Sequence, residues 1–328
     1  MPRFPRLVGI ATAAVALAAL AAAPTAAEVP TLTDPRVVEH FDFAAGQTPE
    51  SIALEPDGSA NVTFAFARQI ARLAPHQEPR ILAELPAVTR PDAPVTGAPV
   101  ATGIARAQDG TLYVNYATGT KLTGVWRVNP KTHTARQIAC LPKTGFPNGL
   151  ALDERHGVLY AADSVLGTVW RTPTKVGSRG CAKPTAWATG TKLQPPTAPA
   201  EALGANGVKV RHGAVWVSNV DKGLLLRIPV KKDSTAGPIE TRATGLRGID
   251  DFEFTGRDNT VLAALVYSSE VAAVRPNGTH EIVLTARDGL SNPTSVAIHG
   301  KTVYIPSAAF FTMKNPNLLL ATLNKHHR

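Results

Sequence analysis

Residues 147–171, PNGLALDERHGVLYAADSVLGTVWR, contain three short apolar runs that are separated by turn residues. The first run follows Asn148-Gly149, and the second, Val158 to Ala162, follows a turn that contains Gly157. Short apolar runs bounded by Gly, Asn and Asp are typical of consecutive antiparallel strands joined by tight turns. This stretch therefore predicts a small β-meander.

The opening phrase of this stretch recurs along the chain, and the recurrence predicts the fold. Its copies start 44 to 58 residues apart, and most continue into a second strand within about ten residues. Four short strands at a period of about 50 residues are typical of propeller blades. We therefore predict an all-β, six-bladed β-propeller with four-stranded blades. The six copies open at Glu50, Thr102, Asn148, Asn206, Asp250 and Thr294.

Closure of the ring requires a contribution from the beginning of the chain. After Thr302, the last copy has enough chain for only one more strand, near Leu318 to Leu320. We expect Arg36 to Phe41 to supply the missing outer strand, because this pairing hides an edge that would otherwise promote aggregation. A β-sandwich of unrelated strands is the alternative, but it does not explain the recurring phrase.

The first 27 residues have the organisation of a secretory signal peptide. Arg3 and Arg6 precede an apolar run from Leu7 to Ala23, and small residues follow up to Ala27. The run is rich in Ala and shorter than the roughly 20 residues that cross a bilayer, so no stable membrane anchor is expected. We predict cleavage near Ala27, secretion, and a mature chain, residues 28–328, that forms a single propeller domain.

The charge distribution argues against a nucleic-acid partner. The formal net charge of the chain is +9, and the predicted leader carries two of these positive charges. Lys and Arg are scattered, with the densest clusters at Lys231-Lys232 and at Lys325 to Arg328. Scattered basic residues are typical of a solvated surface, so no nucleic-acid partner is expected. The sequence carries no signal for an oligomeric state.

The two cysteines, Cys140 and Cys181, are the only ones in the chain. In an exported protein such a pair predicts a possible disulfide. Two cysteines alone are not expected to hold a metal ion.

The residues that open the six copies form the strongest functional signal. The first strand of each propeller blade lines the central channel, so these equivalent positions should converge on one point. Singly, Asn and Asp often begin strands as turn residues that bond their own backbone. Together, however, two carboxylates and two amides suit a hard divalent cation, and the lack of His and Cys favours Ca²⁺ over Zn²⁺ or Cu²⁺. Another divalent ion would also fit.

Four segments of the repeat resemble the superfamily of six-bladed calcium propellers. This superfamily includes the gluconolactonase and senescence marker protein (regucalcin-like) family, paraoxonase and diisopropyl fluorophosphatase. The resemblance covers nearly the whole mature chain as a repeat pattern, and it implies a catalytic Ca²⁺ held by Glu, Asn, Asn and Asp. The segments are Glu50, PNGL at 147–150, Asn206-Gly207 and Asp250, so the implied metal ligands are Glu50, Asn148, Asn206 and Asp250.

The sequence also departs from the family pattern at two places. An Asn-Asp pair usual on the second blade is replaced by Thr102-Gly103, and the usual Glu-Gly-Pro opening reads Pro49-Glu50-Ser51. The Thr102 hydroxyl is expected to approach either the ion, as a weaker ligand, or a water bound to it.

The resemblance implies an exported Ca²⁺-dependent hydrolase that acts on a lactone or related ester. Asp250 would then act as base or nucleophile besides binding the metal. Thr102, Asn292 and Thr294 are expected to line the substrate pocket or support the ligands, and Asp251 should point to the opposite face. Two alternatives stay open: a non-catalytic ligand-binding propeller with a structural Ca²⁺, and a strictosidine synthase-like propeller without the metal ring.

Overall fold

The computed structural model describes residues 32–324 except 76, 178–179, 200 and 257. The predicted leader and its cleavage point lie outside these residues, as does the basic cluster at 325–328. The described part of the chain contains 24 strands and one short 3₁₀-helix, Ala286–Asp288. Within it, no helix is long and apolar enough to span a bilayer.

The strands form six separate four-stranded antiparallel sheets, which are the blades of the propeller. The first strand, β1 (Leu32–His40), belongs to the last blade. Blade 1 comprises β2 (Pro49–Leu54), β3 (Ala60–Phe64), β4 (Gln69–Leu73) and β5 (Arg80–Glu84); blade 2 comprises β6 (Val100–Arg106), β7 (Leu112–Ala117), β8 (Gly124–Asn129) and β9 (Thr134–Cys140). Blade 3 comprises β10 (Pro147–Asp153), β11 (Val158–Asp163), β12 (Thr168–Pro173) and β13 (Thr185–Thr189); blade 4 comprises β14 (Ala205–Arg211), β15 (Ala214–Asn219), β16 (Leu224–Pro229) and β17 (Glu240–Ala243). Blade 5 comprises β18 (Ile249–Phe254), β19 (Val261–Leu265), β20 (Glu270–Val274) and β21 (His280–Leu284); blade 6 comprises β22 (Ala297–His299), β23 (Thr302–Ser307), β24 (Asn317–Leu323) and β1.

The predicted six-bladed, all-β propeller is therefore confirmed, together with its closure. Strand β1 pairs antiparallel with β24, from Leu32 opposite Leu323 to His40 opposite Asn317. The strand begins earlier than the predicted Arg36, and a register shift next to Pro35 accommodates a residue that has no backbone N–H to donate. The N-terminal segment thus covers the edge of the last blade.

The inner strand of blade 6 is shorter than the repeat predicts. Only Ala297–His299 pair regularly with β23, and an isolated bridge joins Pro293 to Ser307. Asn292 has a positive φ of 55° and precedes a proline, so a regular strand cannot begin at this point.

Apolar side chains from neighbouring blades form the core. One cluster combines Tyr160 and Trp187 of blade 3 with Val215 and Leu226 of blade 4. The rings of Tyr160 and Trp187 meet edge to face, with their centroids 4.9 Å apart. Because interiors pack densely, such contacts hold each blade at a defined angle to the next and so fix the position of the inner strands.

A disulfide links blade 2 to blade 3. Cys140, the last residue of β9, is bonded to Cys181, and their Cα atoms lie 5.6 Å apart. Beside it, Ala139 and Ala182 form a parallel bridge. The chain between β12 and β13 is therefore attached to the outer edge of blade 2.

Candidate metal centre

The residue that opens each repeat lies in a β-bulge. The pairing of the first and second strands shifts register at this position in each of the five blades with a long inner strand. Glu50, for example, lies in the irregularity between Pro49 and Ser51, and Asn148 in the one between Pro147 and Leu150. A bulge bends its strand and re-aims a side chain, so one local distortion, repeated around the ring, directs these residues into the channel.

Glycine follows three of these residues because the next inner strand approaches too closely for a side chain. A Cβ atom on Gly103 would lie 2.3 Å from the carbonyl oxygen of Asn148, and one on Gly149 would lie 2.3 Å from that of Asn206. A Cβ on Gly207 would lie 2.6 Å from the carbonyl oxygen of Asp250. The Asn-Gly phrase is thus required by contact between neighbouring blades.

Side chains on the second strand of one blade hydrogen-bond to the inner-strand backbone of the next blade. Each is a buried polar residue 12 or 13 positions after the residue that opens its own repeat. These residues were not predicted from the sequence, although a polar side chain at a nearly constant offset within an apolar strand is a detectable signal. The bonds run from Thr63 Oγ1 to the Thr102 carbonyl (2.7 Å), from Asn115 Nδ2 to that of Asn148 (2.8 Å) and from Ser218 Oγ to that of Asp250 (2.6 Å).

The four carboxylate and amide residues of the ring lie together at one end of the channel. Glu50, Asn148, Asn206 and Asp250 all line a single cavity of about 320 Å³, and Thr102 lines it too. All five residues are buried. The tertiary structure therefore brings together side chains that are up to 200 residues apart in sequence.

The two threonines of the ring bind backbone instead. Thr102 Oγ1 donates to the carbonyl oxygen of Pro147 at 2.8 Å, and Thr294 Oγ1 donates to that of Pro49 at 2.8 Å. Each hydroxyl thus reaches the residue that precedes the ring position of the next blade. Thr294 is not among the residues that line the cavity, so its place in the structure is that of a link between blades 6 and 1.

Burial and the charges of neighbouring carboxylates raise the pKa values of Glu50 and Asp250. Burial raises the pKa of Glu50 to about 8, the charge of Asp251 adds to the effect, and a hydrogen bond with Asn148 opposes it. Burial also raises the pKa of Asp250 well above its usual range, with further contributions from Glu50 and Asp251 and opposition from Asn206. Such a pair favours either protonation or a compensating cation.

The donor atoms fit a divalent cation. Glu50 Oε2 and Asn206 Oδ1 are buried without a hydrogen-bond partner, whereas buried polar atoms normally have one. The described residues include no group of three or more His, Cys, Asp or Glu that could hold a metal. A cation in this ring would consequently depend on the amide oxygens of Asn148 and Asn206 as well as the two carboxylates, an oxygen set that suits Ca²⁺.

Asp251 is directed to a buried salt bridge beside the ring. Its Oδ2 accepts hydrogen bonds from Lys209 Nζ and from Ser295 Oγ, both at 2.8 Å. The Lys209 ammonium compensates this carboxylate in part, and the charge of Asp251 still contributes to the raised pKa values of Glu50 and Asp250.

Asn292 does not line the cavity, but it hydrogen-bonds to two segments that do. Its side-chain oxygen accepts from the backbone N–H groups of Phe311 and Thr312 at 3.0 and 2.9 Å, and its Nδ2 donates to the Val266 carbonyl at 2.9 Å. Phe311 and Val266 are cavity residues. Asn292 therefore supports the wall from behind.

Several solved structures are similar to this chain in fold. A calcium-binding protein named regucalcin from Agrobacterium tumefaciens is 14% identical with a TM-score of 0.59, covering 87% of this chain and 92% of its own. Virginiamycin B lyase from Staphylococcus aureus is 14% identical with a TM-score of 0.56, covering 89% and 100%. A PQQ-bound aldose sugar dehydrogenase from Streptomyces coelicolor is 12% identical with a TM-score of 0.58, covering 88% and 96%.

These similarities confirm the propeller fold, which this chain shares with the regucalcin structure and with the two enzymes. No family model matches the chain, and no curated protein matches its sequence. The three structures include a calcium-binding protein, a lyase and a dehydrogenase. Since one fold carries such different activities, the function has to be argued from the site itself.

Proposed function

We propose that this chain is an exported Ca²⁺-dependent hydrolase that acts on a lactone or related ester at the channel cavity. The observation that carries the proposal is the buried ring of Glu50, Asn148, Asn206 and Asp250, in which two acceptor atoms have no partner and two carboxylates share one cavity. The substrate we propose is a small molecule, because a cavity of about 320 Å³ is of the size of small-ligand sites.

In the proposed reaction, Glu50, Asn148 and Asn206 serve as metal ligands, and Asp250 also serves as the base. When bound, Ca²⁺ would polarise the substrate carbonyl as a Lewis acid. The side-chain oxygen atoms of Glu50, Asn148 and Asn206 would hold the ion in place. Asp250 accepts a proton from water as the water oxygen bonds to the carbonyl carbon; the acyl C–O bond then breaks, and the proton passes to the leaving alkoxide.

The first test is metal binding by the purified mature protein. We expect wild type to bind one Ca²⁺ per chain, and Asn148→Ala and Asn206→Ala to weaken binding at least about tenfold in titration calorimetry, as loss of a ligand to a charged centre implies. Asn277→Ala is a matched control, because Asn277 lies in an exposed turn where it accepts from Thr279 N at 3.0 Å. Wild-type protein that binds no divalent cation would overturn the proposal.

The second test is turnover. A panel of aliphatic and aryl lactones, esters and phosphotriesters should reveal a rate that chelation abolishes. Asp250→Asn should reduce kcat by about 10²-fold or more if Asp250 is the base. Full turnover in this variant at normal metal occupancy would refute that role.

A non-catalytic binding propeller is the second candidate, and Thr102 favours it. Its hydroxyl donates to the carbonyl of Pro147. Val100 and Thr102 are the described residues of blade 2 that line the cavity, and neither has a carboxylate or amide side chain. Specific Ca²⁺ binding without any metal-dependent rate across the panel would support this function. Chelation that changed neither stability nor activity would instead support the strictosidine synthase-like alternative.

A further inference from the structure

The wall of the cavity differs in chemistry from its floor. The floor consists of Glu50, Thr102, Asn148, Asn206 and Asp250. The wall is formed mainly by loops at one end of the blades, and it is predominantly apolar. No Lys, Arg or His belongs to the described residues that line the cavity. The apolar and aromatic wall residues are Ala65, Phe66, Val95, Val100, Phe146, Leu203, Val220, Val266, Tyr267, Phe310 and Phe311.

Two aromatic pairs join the loops of different blades at the mouth. Phe66 of blade 1 meets Phe310 of blade 6 edge to face, with centroids 6.0 Å apart. Tyr267 of blade 5 meets Phe311 of blade 6 in the same manner at 5.4 Å. Phe311 is 62% exposed, although Phe is among the residue types that are most often buried in folded proteins. An exposed apolar surface that continues into a cavity is typical of a ligand-binding site.

Asn292 keeps this aromatic wall in place. It is 2% exposed, and its amide bonds to both the segment that carries Phe311 and the segment that carries Val266. One buried side chain thus sets the distance between the blade 5 and blade 6 parts of the wall. We regard Asn292 as a positioning residue, since it contacts the wall and not the cavity.

The hydroxyl groups of the wall are already bonded to protein acceptors. Tyr267 donates to Asp221 Oδ1 at 3.1 Å, and Thr96 donates to the Ala98 carbonyl at 2.7 Å. Tyr267 and Thr96 are the only polar side chains among the described wall residues, so a sugar-like ligand would bring more hydroxyls than this surface can bond. Each buried hydroxyl without a partner weakens binding by about five- to 150-fold. An anionic ligand would find no Lys, Arg or His side chain among the described residues that line the cavity.

We propose that the cavity selects uncharged, predominantly apolar lactones or esters, with the apolar arm of the substrate against the aromatic wall of Phe66, Tyr267, Phe310 and Phe311. The identity of the reacting group rests on the proposed function, whereas the preference for an apolar arm rests on the wall. Sugar lactones and anionic esters are thereby disfavoured as substrates.

Unreactive lactams separate this preference from turnover. Three probes are titrated calorimetrically into the Ca²⁺-supplemented protein: an alkyl-substituted lactam, a polyhydroxylated lactam of the same ring size, and a lactam with a carboxylate on its side chain. We expect the alkyl compound to bind at least about tenfold more tightly than either of the others. Equal or tighter binding of the hydroxylated or anionic probe, or no binding of the alkyl probe, would overturn the proposal.

Variants locate the preference on the wall. Phe311→Ser should weaken binding of the alkyl lactam about tenfold, because it removes one exposed aromatic face. Met313→Ser is the matched control: Met313 is 64% exposed in the same segment and is not a cavity residue, so affinity should stay unchanged. Unchanged affinity in Phe311→Ser, or an equal loss in both variants, would contradict the wall assignment.

The positioning role of Asn292 has its own readout. Asn292→Ala should lower the ratio of alkyl to hydroxylated lactam affinity while the Ca²⁺ affinity stays at its wild-type value. A preserved ratio would contradict the role. If the lactams bind as expected but no ester or lactone is hydrolysed, the hydrolase proposal fails and the apolar preference stands. If a sugar lactone is hydrolysed preferentially, the hydrolase proposal stands and the apolar preference fails.

Discussion

Gly149 illustrates how single residues shape this molecule. In sequence it looks like the second half of a turn, but in the structure it lies against the backbone of the next blade. The same contact recurs at Gly103 and Gly207. The phrase that first identifies the repeat therefore records the close approach of inner strands around a channel.

We expect Gly149→Ala to destabilise the fold by about 1 to 3 kcal/mol, because the added methyl group overlaps the Asn206 carbonyl and forces backbone to move. The free energy of unfolding from denaturant titration measures this. Gly177→Ala is the control, since a Cβ at that position meets nothing within 4 Å. Equal stabilities of the two variants would contradict the close approach.

Glu50 makes stability depend on pH when no cation is present. Its pKa rises from 4.5 to about 8 in the folded protein, so between these values the folded state retains a proton that the unfolded chain has released. Stability of the chelated protein should therefore fall as pH rises through this interval, by about 1.4 kcal/mol per unit of pKa difference at most. Calorimetric Tm values at pH 5 and pH 8 test this.

Glu50→Gln serves as the comparison for the pH experiment. The variant cannot ionise at this position, so its Tm should fall less between pH 5 and pH 8 than that of wild type. Added Ca²⁺ should restore the Tm of wild type at pH 8. Identical pH slopes in the two chelated proteins would show that Glu50 does not carry this effect.

At the scale of elements, an outer strand of one blade is tied covalently to the next blade. The disulfide joins the end of β9 to the segment before β13, and it encloses the three inner strands of blade 3. Cross-links of this kind stabilise chiefly by restricting the unfolded chain. They need not affect a site on the channel axis.

We expect the double variant Cys140→Ser, Cys181→Ser to lose about 2 to 4 kcal/mol of unfolding free energy. The Ca²⁺ affinity should be unchanged, because the ring is held by inner and second strands. Denaturant titration and calorimetric titration of the same preparations measure the two quantities. Loss of metal binding at native stability would place the disulfide in the site.

At the scale of the whole molecule, closure by β1 makes the two ends of the chain interdependent. Strand β1 supplies the outer strand of blade 6, and Thr294 connects blade 6 to blade 1. A chain that begins at Glu28 retains β1 and should fold cooperatively. A chain that begins at Phe41 should expose the edge of β24 and aggregate, as size-exclusion chromatography and thermal melts would show. A monomeric, cooperative shortened chain would contradict this dependence.

The number of blades and the shared position of Glu50, Asn148, Asn206 and Asp250 follow from the sequence because the same phrase returns every 44 to 58 residues, and the closing strand follows because the last copy is one strand short. Periodic patterns report local strand geometry, and a propeller converts equal positions in its repeats into spatial neighbours. The repeat overestimates the inner strand of blade 6, where Asn292 and Pro293 interrupt regular pairing. The repeat also does not distinguish a residue that lines the cavity from one that supports the ring, and the Thr294 hydroxyl donates to the carbonyl of Pro49, next to Glu50.

The sequence by itself thus determined the propeller and the set of oxygen donors on its axis. The tertiary structure decided which donors face the cavity, that Asp251 pairs with Lys209, and that the wall is apolar. The physical reason is that the wall is assembled from non-repeating loops of several blades. Their side chains meet through contacts between distant segments, such as those of Asn292 with Phe311 and Val266, and no local pattern in the chain encodes these contacts.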